Sequence, residues 1–153
     1  MTAKIQNLSQ LYNRDYYLWL KETTQLLKTK NFSQLDIENL IEELETLGRS
    51  ERNKIISSLR LIYQHLLKWQ YQPEKRSKSW TNTIDRERDN ICDYIEDMPS
   101  LKKMLDDSEI IAKGYSRGRR DAIKETGITN LPTDCPFTMQ QVLDSNYLPS
   151  CDF

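Results

Sequence analysis

Arg60 and His65 are the residues whose types and spacing come nearest to catalytic chemistry. His65 is the single histidine of the chain. An imidazole is the natural base near neutral pH, and a guanidinium stabilises charge on a phosphorane-like state. Together they would pair a base with a group that stabilises charge on a phosphate. Five residues apart on a helix, the two side chains diverge by about 140°. The competing expectation is a packed histidine satisfied by a neighbouring carboxylate or carbonyl. The pair sits within Ser50–Trp80, which also holds two of the three tryptophans and a long apolar run.

A second constellation overlaps the first. Between Phe32 and Leu47 there are five acids and no bases; between Gly48 and Trp80 there are eight bases and two acids. Lys68, Trp69, Tyr71, Arg76, Lys78 and Trp80 mix cations with aromatic rings, the combination that neutralises phosphates and stacks bases in single-stranded nucleic acid binding. The alternative is intramolecular: the acidic helix pairs with the basic one across a bundle, and the tryptophans anchor the core. Arg117, Arg119 and Arg120, near Tyr115 in KGYSRGRR, make another basic cluster. Gly114 and Gly118 there are four apart, a spacing that permits close helix approach.

Other chemistries have less to draw on. Asp36, Glu38, Glu42, Glu43 and Glu45 with His65 invite a carboxylate metal site. Ferritin-like centres, however, need Glu-x-x-His pairs on facing helices, and the chain has none. Neither a metal nor another cofactor is expected. Glu43 and His65 could still meet across a helix pair, holding register or preparing a small polar pocket. Cys92, Cys135 and Cys151 form no CxxC motif; an odd, sparse set of thiols suits a reducing cytoplasm and offers no disulfide framework.

The elements that must position these residues are helices. The chain has 153 residues, 29% of them charged and 37% hydrophobic, with four glycines and five prolines. That length suits a single helical domain over 1–153, with residues 128–153 irregular. The net charge of −1 implies no overall attraction to a polyanion or a membrane, and no apolar run has the length of a spanning segment. Asn13 is expected to cap a first helix running to about Thr29, with Tyr16, Leu20 and Leu27 on its apolar face. Ser33 and Asp36 begin a second, whose buried stripe is Ile37, Leu40, Ile41, Leu44 and Leu47. A helix continuous from Asp36 to Gln70 would be about 50 Å long, so a break is expected at Gly48–Ser50.

Ile55, Ile56, Leu59, Ile62, Tyr63, Leu66 and Leu67 share one arc of the third helix, which ends near Tyr71; Leu61, His65 and Trp69 lie on its flank. Ser79 caps a fourth, Trp80 to about Asp97, with Ile84, Ile91, Ile95 and Met98 inward. Pro99–Ser100 starts a short helix over Leu101–Leu105, and a longer one runs from about Ser108 to Thr126, closed by Gly127. Thr138 and Gln141 form a capping box for a last short helix. The fold class is all-α: an antiparallel bundle of four to five main helices with a C-terminal segment packed over it.

Several motifs follow one another in an order with a family resemblance. LDIENLIEELETLGRSE (Leu35–Glu51), HLLKWQYQP (His65–Pro73), RSKSWTNTI (Arg76–Ile84), PSL (Pro99–Leu101) and the Cys135–Pro149 segment, together with YNRDYYLWL (Tyr12–Leu20), resemble the mainly cyanobacterial domain-of-unknown-function family 29. The resemblance covers nearly the whole chain. It implies an all-helical fold, and it carries no catalytic residue. Arg60 and His65 also match the R-x4-H spacing of the helical ribonucleases called HEPN, some of them toxin–antitoxin components, although Leu61 stands where those nucleases usually carry a polar residue. In them, the resemblance implies, histidine and arginine act on an RNA 2′-hydroxyl and the scissile phosphate without a metal. The expectation is therefore a cytoplasmic, non-enzymatic binding module, whose partner is a protein, a second copy or single-stranded nucleic acid rather than a membrane. The alternative is a metal-independent ribonuclease using Arg60 and His65.

Overall fold

A computed structural model describes residues 7–151. Its elements are helical: α1 (Leu8–Arg14), α2 (Tyr16–Lys28), α3 (Ile37–Tyr71), α4 (Lys78–Asp97), α5 (Ser108–Thr126) and α6 (Met139–Leu143), with 3₁₀ turns at Phe32–Gln34, Pro73–Lys75 and Pro99–Asp106. The fold is an all-α bundle with no strand among the described residues. No helix there is long and apolar enough to cross a membrane. The chain divides into two compact units, Met1–Ser50 and Glu51–Phe153.

In the N-terminal unit the expected first helix is two. Asp15, not Asn13, is the capping residue: its carboxylate accepts from the Leu18 N–H at 3.0 Å, so the chain turns between α1 and α2. Ser33 falls in a 3₁₀ turn, and α3 begins after Asp36, whose carboxylate meets the Asn39 N–H. Trp19 and Thr23 are the buried side chains of α2. Tyr16, Leu20 and Leu27, expected on a buried face, are exposed. So are Ile37, Ile41, Leu44 and Leu47 of the expected core stripe, while Leu40 is half-buried. The periodicity was there; within this unit, what it faces is not.

The break expected at Gly48–Ser50 does not occur. Helix formers flank Gly48 on both sides, and the cost of one interior glycine is only about 1 kcal/mol. Arg49 also reaches back across it, to Glu42 at 2.8 Å and Glu45 at 3.8 Å. The acidic and basic segments are thus consecutive parts of one helix and do not pair across a bundle.

The C-terminal unit holds the main core. Ile55, Leu59, Ile62, Tyr63, Leu66 and Leu67 of α3 meet Ile84 and Ile91 of α4, Ile110 and Ala122 of α5, and Leu131, Phe137 and Val142 of the C-terminal segment. Met98, expected inward, is exposed at the C-cap of α4. Asp107 caps α5, and Gly127, at φ 74°, closes it in the left-handed conformation. The capping box of Thr138 and Gln141 is formed as expected.

Helices α3 and α5 approach closely at two glycines. A Cβ on Gly118 would lie 2.5 Å from the Arg60 carbonyl oxygen and 2.9 Å from Tyr63 Cβ; one on Gly114 would lie 2.9 Å from Leu59 Cβ. Ion pairs Arg52–Glu109, Arg60–Asp121 and Lys68–Glu125 advance together along both helices, so the two run in the same direction. Arg88 of α4, almost fully buried, donates to the carbonyls of Val142 (2.8 Å), Gln141 (3.3 Å) and Tyr147 (3.0 Å), tying the C-terminal segment down.

Candidate functional site

The Arg60–His65 pair is separated by its partners. Arg60 Nε is bound to Asp121 on α5. The half-buried His65 ring has its Nδ1 2.8 Å from the Leu61 carbonyl oxygen, and since a carbonyl only accepts, Nδ1 carries the proton. Burial lowers the imidazole pKa, opposed by the Leu61 hydrogen bond; the Lys68 and Arg86 charges add to the lowering. Nearby, Gln64 Nε2 and Lys68 Nζ both donate to Glu125, at 2.8 and 2.5 Å. The imidazole is neutral at pH 7, and the cations near it are engaged.

The basic-aromatic residues are also largely engaged within the chain. Lys68 is buried; its Nζ sits 4.5 Å from the Trp80 ring centre while bound to Glu125. Arg76 lies 4.8 Å from the Trp69 ring centre, donates Nε–H to the Trp69 carbonyl at 2.8 Å, and meets Cys151 Sγ through Nη2. Tyr71 packs against the core, whereas Lys78 is exposed at the start of α4. Trp69 and Trp80 therefore each already have a cation over the ring. Among the other basic residues, Arg119 donates twice to the Leu131 carbonyl.

Glu43 and His65 do not meet. Both belong to α3, and each is satisfied elsewhere. Tyr12 and Tyr16 donate their hydroxyls to the two Glu43 carboxylate oxygens at 2.5 and 2.6 Å. These bonds hold the Glu43 carboxyl below its usual range and push Tyr12 up to about 12. Trp19 donates its indole N–H to Asp36 at 3.1 Å, and the Tyr12, Tyr16 and Trp19 rings cluster edge-on and stacked. The contacts Trp19–Asp36 and Tyr12/Tyr16–Glu43 fasten α1 and α2 to the start of α3. Among the described residues no group of three His, Cys, Asp or Glu side chains is placed to hold a metal ion. The three cysteines are free thiols; burial pushes Cys135 up, away from thiolate chemistry.

Helices α2 and α3 also leave large apolar side chains open to solvent. Leu20 and Leu27 of α2 are 39% and 43% exposed; Ile37, Ile41 and Leu44 of α3 are 50%, 50% and 61% exposed. The two helices are antiparallel, because Trp19 meets Asp36 while the earlier Tyr16 meets the later Glu43. On α2, Leu20 and Leu27 lie about 80–100° round from the inward Trp19; on α3, Ile37, Ile41 and Leu44 lie about 80–140° round from the inward Asp36. Equal rotation in the same sense on antiparallel helices brings both stripes to one side. Sequence periodicity marked these residues as apolar but carried no information on whether a neighbour covers them. Beside α1, the unit also has an open groove of about 910 Å³ lined by Leu8, Leu11, Leu18, Leu26 and the carboxylates Glu22 and Glu38.

A family model described as "Domain of unknown function DUF29" matches residues 11–148, and the chain belongs to that family. No curated protein and no solved structure matches the chain.

Proposed function

We propose that this DUF29 member is a non-enzymatic interaction module that docks a protein through the apolar face of its N-terminal unit. The observation that carries this reading is the concentration of large exposed apolar side chains. Among the described residues, every one of them except Met98 and Leu148 lies between Tyr16 and Leu47. Contiguous apolar surface of that kind, edged by charge, is what protein interfaces use. The ribonuclease alternative asks Arg60 to leave Asp121. Nucleic acid binding around Arg49–Trp80 asks Lys68 and Arg76 to leave Glu125 and the tryptophans. Free thiols suit a cytoplasmic setting for such a module.

The test is a photo-crosslinking amino acid at position 41 or 44 of the full chain in its producing cells, with position 102 as control. Crosslinks to protein from 41 and 44, and none from 102, are expected. Absence of any protein crosslink from either site, with chelator-resistant RNA cleavage lost in Arg60→Ala and His65→Ala, would replace the module with a nuclease.

A further inference from the structure

Helix α5 presents a surface of the opposite kind, charged and without large apolar side chains. Its buried residues are Ile110, Gly114, Tyr115, Gly118 and Ala122. Lys113, Arg117, Arg120 and Lys124 are exposed, and at 100° per residue they fall within about 60° of one another on the solvent side. From Lys113 to Lys124 the row is about 17 Å long.

The acids of α5 do not neutralise this row. Glu109 pairs with Arg52, Asp121 with Arg60 and Glu125 with Lys68, all from α3. Lys113 and Arg120 only share Glu109 and Asp121 with those α3 cations, at 3.5 and 3.3 Å. Arg117 and Lys124 have no ion-pair partner among the described residues. Within the chain the row is unfavourable, because successive members are like charges three or four residues apart and repel along the helix. The helix dipole favours cations in the last turn, which accounts for Lys124 and not for Lys113 or Arg117.

An anion lying along α5 turns that repulsion into attraction, and no cation has to leave a buried partner to meet it. What the face lacks narrows the chemistry. No large apolar side chain of α5 is exposed, whereas a membrane surface or the core of a protein interface would need one. Tyr115, the aromatic residue of α5, is buried, so unpaired bases have no ring there to stack on. A lone phosphate is too short for the row. A nucleic-acid duplex carries one charge per ~1.7 Å of its axis and meets the whole row through phosphates alone.

We infer that the outward face of α5 binds the phosphate backbone of a nucleic-acid duplex, without reading base sequence, through Lys113, Arg117, Arg120 and Lys124. This surface is separate from the apolar one of α2 and the start of α3, and neither reading depends on the other.

Fluorescence anisotropy of a short labelled DNA duplex, titrated with the full chain from about 50 to 200 mM salt, tests this. Binding in the micromolar range is expected, indifferent to base sequence, with log K falling against log salt at a slope of about −3 to −4 for four phosphate contacts. Arg117→Gln/Arg120→Gln should lose about tenfold or more in affinity and bring the slope to about −2. Its helical circular dichroism should be unchanged and its thermal midpoint at low salt no lower than that of the wild type, since like charges have been removed. Arg117→Lys/Arg120→Lys, which keeps the point charges, should stay within about threefold of the wild type. So should Lys102→Gln/Lys103→Gln, which removes the same charge outside the row. Absence of binding at about 50 mM salt overturns the inference, as does a slope untouched by Arg117→Gln/Arg120→Gln. Single strands bound as tightly as the duplex overturn it too. Polyglutamate competing as well as DNA at equal charge would overturn it and give α5 an acidic protein as its partner.

Discussion

The two units of this chain use the same raw material, amphipathic helices, and finish it differently. In the C-terminal unit the apolar arc of α3 from Ile55 to Leu67 is almost wholly removed from water. In the N-terminal unit Ile37, Ile41 and Leu44 of the apolar stripe are half or more exposed. There the contacts that fix the helices are polar and aromatic: the Tyr12, Tyr16 and Trp19 donors on Glu43 and Asp36. One unit has completed its core; the other holds its shape while keeping an apolar face available. Hydrophobic periodicity identifies the side of a helix that wants a neighbour, and a fold need not supply that neighbour from the same unit.

The widest separation between the units should appear in truncation of equivalent leucines. Leu59→Ala, at a fully buried site, should cost about 2–5 kcal/mol. Leu44→Ala, at a site 61% exposed, should change stability by no more than about 0.5 kcal/mol. Urea unfolding of both variants measures the difference, and equal losses would mean that the exposed stripe is covered after all. Arg88→Met comes next. Its three acceptor carbonyls in the C-terminal segment would lose a charged donor, a loss of about 2–3 kcal/mol. Limited proteolysis should then cut the segment after Leu131 faster than in the wild type; an unchanged digestion pattern would show that Arg88 is not what secures it.

The glycines give a comparison with a change of sign. At Gly118 an added methyl would press on the Arg60 carbonyl, a backbone atom that cannot swing aside. Gly118→Ala should therefore destabilise by about 1–3 kcal/mol. At Gly48 nothing lies within 4 Å of a Cβ. Alanine there should stabilise α3 by about 0.5–1 kcal/mol, because the helix no longer carries the entropy cost of glycine. Thermal unfolding reads both, and a destabilising Gly48→Ala would expose a packing role that the surroundings of Gly48 do not indicate.

Much of this architecture was legible in the sequence for local reasons. The α5 limits, its Gly127 stop and the Thr138–Gln141 box are set by capping groups a few residues apart. The Ile55–Leu67 core arc follows from period alone. The errors lay where the deciding partner is distant or absent. Gly48 reads as a stop because glycine often is one, yet nothing at Gly48–Ser50 reverses the chain, and Arg49 spans it. Tyr12 and Tyr16 gave no sign of converging on Glu43, since that depends on the angle set by Asp15. The exposed face of α2 and α3 was visible as residues and invisible as a surface.

The smallest expected effect is in pH dependence, and it too separates the units. Burial holds the His65 imidazole below its ordinary value of 6.5. Between that value and the lower one of the folded state, the unfolded chain binds a proton that the folded chain does not. Stability contributed by neutral His65 is therefore present above about pH 6.5 and is lost as pH falls towards the folded pKa. The tyrosine-bonded Glu43 is also held low, from 4.5, so its contribution is kept down to that pH and lost only below it. Acid should thus weaken the C-terminal unit first and the N-terminal unit later. Urea midpoints followed from pH 7.5 down to 5.5 should fall less in His65→Gln than in the wild type, while Glu43→Gln should leave that interval unchanged and flatten the response below pH 4.5. An identical slope for His65→Gln and the wild type would mean that the ring is solvated in solution, and would remove the electrostatic basis for keeping it out of acid–base chemistry.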